Sequence, residues 1–266
     1  MQQNMIDQNI IITEPSSSLR ARGRNSLEGM WKTAVLGLLI YEAILNIPPL
    51  ILDRIMGYPK YIPMFYGEQE LTIDTSPLSG IYTFVITGIF SIGVAMFFMT
   101  IVRRRQASPV DVFNGFEYAL KSLGLFFMTS LFTALWSLLL VFPGIIAALR
   151  YSQAFFILAD DPSKNIMQCI NESKEMMMGN KGKLFCLYLS FIGWGILAGL
   201  ASGIIRGVTE GFYITGLWTD ILILAAEIPM LWVLAYITAT EVNFYDMFKG
   251  RPQADATVEA EFTVVE

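Results

Sequence analysis

The chain alternates between long uncharged apolar runs and shorter polar stretches that hold most of its charges. A helix of about 20 residues, rising 1.5 Å per residue, covers the roughly 30 Å hydrocarbon core of a bilayer, and several runs reach that length. The pattern predicts an all-α fold, a polytopic membrane bundle of about six transmembrane helices with cytoplasmic interfacial helices. The six runs lie at about residues 31–52, 80–102, 122–142, 145–159, 184–205 and 217–239.

A proline and a glycine interrupt the third apolar run. Proline lacks the amide that a helix interior needs and glycine adds backbone freedom, so Pro143 and Gly144 predict a helix break. The crossing that follows, residues 145–159, is short, which leaves open whether it crosses fully or is re-entrant. Six spans are favoured over five, because the lysines between Lys164 and Lys183 require the next segment to lie inside.

Basic residues flank the predicted spans and set their orientation. Cations cluster before the first run, from Arg20 to Lys32, and after the second, at Arg103 to Arg105. Since Lys and Arg favour the cytoplasmic side, both termini are expected inside and residues 53–79 outside. The first cluster is also placed to contact anionic lipid headgroups, with orientation alone as the alternative explanation.

The polar segments divide the chain into three parts. Residues 1–18 are expected to form a flexible cytoplasmic tail, residues 19–248 the helical membrane domain, and residues 249–266 an acidic, disordered cytoplasmic tail.

A polar helix is predicted over residues 162–178, with Asp161 as its N-cap and Pro162 at its first position. Its less polar residues fall on one face at helical spacing, so we expect the helix to lie along the membrane interface. That face consists of Ile166, Cys169, Ile170, Ser173 and Met177.

Composition narrows the class of function. Apolar residues make up 54 % of the chain and charged residues 15 %, whereas soluble domains average about 25 % charged. The chain has no histidine, which removes the usual general base and the commonest metal ligand. No nucleophile elbow or phosphate-binding loop is present, so we expect no catalytic, cofactor or metal site and no nucleic-acid partner. Cys169 and Cys186 are expected to be free, buried thiols.

Charged residues at Glu42, Arg150 and Glu227 lie inside predicted spans. An ionised group there is costly unless it is paired or wetted, so these residues form the candidate intramembrane polar site. Arg150 is expected to pair with Glu227, or failing that with Glu42. A structural ion pair that fixes helix register and a transport site both fit this pattern.

Four glycines, each four residues apart, form one narrow stripe on the fifth predicted span: Gly195, Gly199, Gly203 and Gly207. Small residues at this spacing let another helix approach closely. Packing within the chain is favoured, and a sliding surface or a seam between copies of the chain is the alternative.

Several short motifs together resemble one family. They are Phe142 to Ile146, Arg150 to Ser152, Ala159 to Pro162, Ser173 to Lys181, Phe191 to Trp194 and Phe244 to Asp246. The combination is similar to a bacterial family of integral membrane proteins known only as a domain of unknown function, number nine hundred and seventy-five. The resemblance covers about residues 19–248 and implies a multi-span protein of the cytoplasmic membrane with no established activity.

A more distant likeness concerns Pro143-Gly144 and the helix that follows Asp161-Pro162. This arrangement resembles the membrane part attached to some glycerophosphodiester phosphodiesterases, which implies work related to lipids.

The sequence favours a non-enzymatic membrane protein, acting as a scaffold, an accessory subunit or an envelope-homeostasis factor, with a membrane-protein partner or a second copy as possible companions. The alternative is a small transporter or exporter component that uses Glu42, Arg150 and Glu227. A lipid-related enzyme comes third.

Cysteine labelling of intact cells tests the predicted topology. A membrane-impermeant maleimide should modify a cysteine placed at position 65 but not one placed at position 172, because only the first lies in the predicted outer segment. Modification at position 172 would contradict the six-span arrangement.

Overall fold

The computed structural model describes residues 10–58, 60–63, 70–73, 75–212, 214 and 216–250, and within these ranges the chain is almost entirely helical. The α-helices are α1 (Ser16–Ser26), α2 (Trp31–Ile55), α3 (Pro77–Arg104), α4 (Ala119–Leu139), α5 (Val141–Tyr151), α6 (Ala154–Asp160), α7 (Ile166–Met176), α8 (Lys181–Leu189), α9 (Ile192–Gly211), α10 (Leu217–Ala226) and α11 (Ile228–Phe248). A 3-10 helix, Pro109–Tyr118, joins α3 to α4.

Six helical segments among the described residues are long and apolar enough to cross a membrane, which confirms the predicted fold class. They are Trp31–Ile55, Pro77–Arg104, Pro109–Leu139, Val141–Asp160, Lys181–Thr209 and Ile221–Phe248. The fourth has 20 residues, so it is long enough to cross fully, unlike the shorter run that the sequence predicted.

The segment predicted to lie outside, residues 53–79, contains a short hairpin that the sequence did not predict. Strand β1 (Lys60–Pro63) pairs antiparallel with strand β2 (Glu70–Ile73). Residues 59, 64–69 and 74 of this segment lie outside the described residues.

The break between the third and fourth spans lies at Leu140. This residue is extended, with φ −165° and ψ 153°, and it separates α4 from α5. Pro143 therefore sits in the first turn of α5, where a backbone amide would have no intrahelical acceptor and a proline costs little, and the Gly144 amide donates to the Leu140 carbonyl at 3.3 Å. A Cβ at Gly144 would overlap the Ser137 hydroxyl, so this glycine serves the close approach of α5 to α4.

Helix α3 lies at the centre of the bundle. It contacts α2, α4, α6, α11 and the 3-10 helix, and 56 % of its span is buried. Its closest approach is to the 3-10 helix, where a Cβ on Gly93 would overlap the Val112 carbonyl and a Cβ on Gly115 would overlap the Gly93 backbone. Both obstacles are main-chain atoms, so neither can rotate away as a side chain could.

An ion cluster ties together the ends of three helices. Arg103, at the end of α3, donates to both carboxylate oxygens of Asp246 at 3.1 Å and to Asp160 Oδ1 at 2.9 Å. The Tyr245 hydroxyl donates to the other Asp160 oxygen at 3.1 Å. The side chains of Arg103, Asp160 and Asp246 are at most 25 % exposed, so these bonds are well shielded.

A second cluster is centred on Glu172 in α7. Lys164 and Lys249 donate to its two carboxylate oxygens at 2.5 and 2.9 Å. Burial by itself would raise the pKa of Glu172, but the hydrogen bonds from the two lysines outweigh it and hold that pKa below its ordinary value. The resulting stabilisation is present above the unfolded-state pKa of a glutamate and is lost as the pH falls through the folded-state pKa.

Helix α7 starts later than predicted. Its N-cap is Asn165, which forms a capping box with Gln168, whereas the Asp161 carboxylate accepts hydrogen bonds from the amide and hydroxyl of Ser163. The predicted apolar face is largely buried, because it packs against α4, α5 and α6, and a position of this helix along the membrane interface stays a prediction. Cys169 lies in this face, and burial raises the pKa of its thiol.

Cysteine burial was predicted correctly for one of the two thiols. Cys169 and Cys186 are both free, and Cys169 is buried, but Cys186 is exposed on α8. The prediction of a buried thiol at Cys186 was wrong.

The amino-terminal segment is attached to the turn between α7 and α8. Asn180 is fully buried; its Oδ1 accepts from the Ile12 amide at 2.8 Å and its Nδ2 donates to the Ile10 carbonyl at 2.8 Å. Helix α1 then packs along α11. The predicted tail, residues 1–18, is therefore fixed from Ile10 onward; residues 1–9 and 251–266 lie outside the described residues.

Replacing Gly93 with alanine should destabilise the bundle by about 1–3 kcal/mol, the usual cost of overpacking a close contact. Thermal unfolding in detergent measures the change. Gly199→Ala is the matched control on a membrane helix, since nothing lies within 4 Å of a Cβ built there. Equal stability of the two variants would contradict the close approach of α3 to the 3-10 helix.

Candidate functional site

A cavity of about 410 Å³ lies between α2, α9 and the junction of α10 with α11. Most of its wall is aliphatic. Its polar lining consists of Glu42, Asn46, Arg206 and Glu227. The fold thus brings together two of the three charged residues that the sequence singled out and adds a cation that the sequence analysis missed.

An ion pair forms one side of the cavity. Arg206 Nη2 on α9 donates to Glu227 Oε1 at 3.2 Å, and the two side chains are 54 % and 41 % exposed. Glu227 occupies the break between α10 and α11, with Pro229 in the first turn of α11. The carboxylate is therefore held at an interruption of the helix, not along a continuous helical face.

Glu42 lies on the opposite wall, about three turns into α2. The Asn46 side-chain amide donates to Glu42 Oε2 at 2.8 Å and to the Glu42 carbonyl at 2.9 Å. Within the part of the chain that the structure describes, no basic side chain forms an ion pair with Glu42. The lining carries two carboxylates and one guanidinium, so with all three ionised it has one negative charge in excess.

Helix α2, which forms the opposite wall, lacks some of its main-chain hydrogen bonds. Pro48 and Pro49 lie inside the helix and supply no amides, which leaves carbonyls one turn earlier without their helical donors. The Tyr82 hydroxyl of α3 donates to one of these, the Ile44 carbonyl, at 2.8 Å. A helix break at Glu227 and missing main-chain hydrogen bonds in the continuous helix α2 therefore lie on the two sides of the cavity.

Arg150 lies outside this cavity, near the end of α5. Its carbonyl accepts a hydrogen bond from the Ser173 hydroxyl at 2.8 Å. The structure pairs Glu227 with Arg206 instead of Arg150, and no ion pair of Arg150 occurs among the described residues. The predicted partner was therefore wrong.

Arg206 was missed because the fifth span was predicted to end at residue 205. The helix continues to Gly211, and its candidate span to Thr209, which puts the guanidinium inside the helix. Helical spacing could have shown that the helix includes Arg206, because this residue falls on the same helix face as Gly195 and Gly199.

A partly buried acid was also missed. Glu241 was assigned to the start of the carboxyl-terminal tail, but it lies within α11, where it accepts a short hydrogen bond from the Tyr188 hydroxyl of α8. This pair is separate from the cavity, whose lining contains neither residue.

The glycine stripe does not pack against another helix of this chain. A Cβ built on Gly195, Gly199, Gly203 or Gly207 would meet no heavy atom within 4 Å among the described residues. The favoured interpretation, packing within the chain, is not what the structure contains, and a seam with another protein stays a prediction.

No group of three or more acidic, cysteine or histidine side chains that could hold a metal ion occurs in the described ranges. The chemistry available in the cavity is charge recognition by carboxylates and a guanidinium, together with hydrogen bonding by an amide.

Comparison with known proteins gives a match to one family over part of the chain, and no activity. Residues 138–252 match the sequence model of a family described as Protein of unknown function (DUF975), which confirms the resemblance over that segment. No curated protein and no solved structure matches the chain. The likeness to the membrane part of glycerophosphodiester phosphodiesterases stays a prediction.

A double-mutant cycle should detect the Arg206–Glu227 pair. Arg206→Leu and Glu227→Leu should each lower stability, because each leaves one charge without its partner, and the double variant should lose less than the sum. We expect a coupling of about 0.5–3 kcal/mol in thermal unfolding. The matched cycle with Arg150→Leu and Glu227→Leu should be additive; coupling there and additivity at Arg206 would reverse the assignment.

Proposed function

We propose that this chain, whose residues 138–252 match a family of unknown function, is a non-enzymatic membrane protein that binds a small positively charged solute in the cavity at Glu42 and, as a transporter component, moves it. The observation that carries the proposal is the meeting of Glu42, Arg206 and Glu227 around one open cavity.

The charge balance of the lining selects the solute. Arg206 already neutralises Glu227, whereas the hydrogen bond that the Glu42 carboxylate accepts among the described residues comes from the neutral amide of Asn46. A carboxylate in a low-dielectric surrounding is stabilised by an opposite charge, so an amine or quaternary ammonium group is the complementary ligand. The aliphatic wall, which includes Leu39 and Leu231, suits the hydrocarbon part of such a molecule.

The size and depth of the cavity fit this role. Small-molecule sites usually enclose about 300–1,000 Å³, and this one falls in that range. Glu42 lies about 16 Å from the start of α2, which is close to the middle of a hydrocarbon core of roughly 30 Å.

Interrupted helices support a transport role. Many carriers build their sites near the middle of the membrane from discontinuous helices, since the interruption exposes polar main-chain groups and gives a place to bend. Here the break at Glu227 and the two prolines of α2 flank the same cavity. A fixed structural ion pair would require neither interruption.

The same proposal places the protein in a bacterial cytoplasmic membrane with both termini inside. The cations of α1 support this orientation and a contact with anionic headgroups.

A scaffold or accessory role is the second candidate. It is favoured by the four glycines of α9, because no described heavy atom lies within 4 Å of a Cβ built on any of them and a helix of a partner membrane protein, or of a second copy, could approach closely there.

Neutralising Glu42 should remove cation binding. With purified protein, choline or tetraethylammonium should raise the unfolding temperature above that in sodium chloride of equal ionic strength, and Glu42→Gln should abolish the rise. Glu28→Gln, a change of the same size at an exposed position between α1 and α2, is the matched control. An unchanged rise in the Glu42 variant would refute the site.

Flux separates transport from scaffolding. Vesicles containing the protein should take up the same two cations, and Glu227→Gln should abolish uptake while the unfolding temperature still reports a folded protein. Binding without any uptake would leave the site but remove the transport role.

A further inference from the structure

We propose that a second site, formed by hydroxyl groups between α4 and the α5–α6 pair, binds a neutral polyol such as a glycerol or hexose group. The groove encloses about 500 Å³ and shares no residue with the cavity at Glu42. Its hydroxyl-bearing residues are Thr129, Ser130, Thr133, Ser137, Tyr151 and Ser152. The inference is independent of the proposed transport function.

Half of these hydroxyls are satisfied by the protein itself. Thr129 donates to the Leu125 carbonyl at 2.9 Å, Ser137 to the Thr133 carbonyl at 2.9 Å, and Ser152 to the Leu149 carbonyl at 3.0 Å. Each of these oxygens has donated its only proton, so toward a ligand it acts as an acceptor.

The other three hydroxyls, on Ser130, Thr133 and Tyr151, form no hydrogen bond with any described residue. Tyr151 carries the argument furthest, because the residue is only 7 % exposed, lines the groove, and has a hydroxyl that reaches the groove surface without a partner among the described residues. A hydroxyl at the wall of such a groove can donate and accept a hydrogen bond, and leaving it without a partner in an apolar medium is costly. A ligand that both donates and accepts hydrogen bonds would supply it.

The lining favours a neutral ligand. No acidic or basic side chain is among the described residues that line this groove, in contrast to the cavity at Glu42, although the Lys174 ammonium lies 5.9 Å from the centre of the Tyr151 ring. Between the hydroxyls lie Ala134, Ala148 and Phe155, which offer apolar contact to the C–H groups of a polyol. Alternating donors, acceptors and apolar surface match a neutral sugar or glycerol group better than a cation or a phosphate.

Two sources could deliver such a group. One side of the groove is open, and the neighbouring side chains of α4 that point outward, Leu131 and Leu135, are exposed and apolar. A lipid with a hydroxylated headgroup could therefore enter from the bilayer, and a free polyol could enter from water. The chemistry of recognition is the same for both.

Binding is tested with the purified protein in an amine-oxide detergent, which brings no sugar of its own. Native mass spectrometry should show retention of a glucosyl diacylglycerol over a phosphatidylcholine with the same acyl chains. The triple variant Ser130→Ala, Thr133→Val, Tyr151→Phe should weaken retention on the order of tenfold or more, since it removes three hydrogen-bonding groups. The double variant Ser91→Ala, Thr238→Val is the matched control, because those hydroxyls lie outside the groove and donate to their own helices.

Glucose and glycerol added without lipid distinguish the sources. Displacement of the glycolipid by millimolar free glucose or glycerol would assign the site to a soluble polyol, and retention despite them would assign it to the lipid. Equal retention of both lipids by the wild-type chain, together with no binding of free polyol, would overturn the proposal, as would a triple variant that retains the glycolipid unchanged.

A labelling experiment keeps the test decisive if the triple variant does not fold. In a chain with Cys169 and Cys186 replaced by serine, Thr133→Cys should react more slowly with a maleimide when the glucosyl lipid is present. Thr238→Cys should react at the same rate with and without it. Equal rates at position 133 would overturn the proposal.

Discussion

A polar group that enters the hydrocarbon core must find its partner inside the protein, because the lipid supplies none. This constraint accounts for several specific contacts within the spans. The carbonyl released by Pro48 is met by the Tyr82 hydroxyl, and Glu241 is met by the Tyr188 hydroxyl. Arg206 and Glu227 meet each other. Glu42 has no ion-pair partner and the Tyr151 hydroxyl no hydrogen-bond partner among the described residues. We propose that a ligand supplies the partner at each of these two positions.

The packing of the bundle depends on close main-chain approach at a few positions. At Gly93 and Gly115, and again at Gly144, any side chain would collide with the neighbouring segment. These contacts hold the 3-10 helix against α3 and α5 against α4. The α9 and α10 side of the bundle has no comparable contact among the described residues, and its helices present large apolar side chains to their surroundings. The protein thus combines a tightly packed centre with one side that is available for other molecules.

The sequence predicted the fold class well, because long uncharged runs depend only on composition and length. It predicted contacts poorly where one sequence pattern is compatible with more than one structure. Pro143 and Gly144 mark the break, yet the extended residue is Leu140, since a proline is tolerated in the first turn of the helix it opens. The glycine spacing of α9 indicates a contact surface but does not say which molecule contacts it. Arg206 was not recognised as a site residue because the predicted end of the fifth span was a few residues too early. Helical periodicity determines the position of a helix end only weakly.

The attachment of the amino terminus has a consequence for biosynthesis. Ile12 and Asn180 are 168 residues apart in the chain, yet they share a hydrogen bond. At translation rates of about 5–20 residues per second, the segment at Ile10 and Ile12 waits on the order of ten seconds or longer before its acceptor is synthesised. Ile10 and Ile12 are therefore made well before the residue that fixes them. During that interval their apolar side chains and main-chain groups are accessible to chaperones and to the membrane surface.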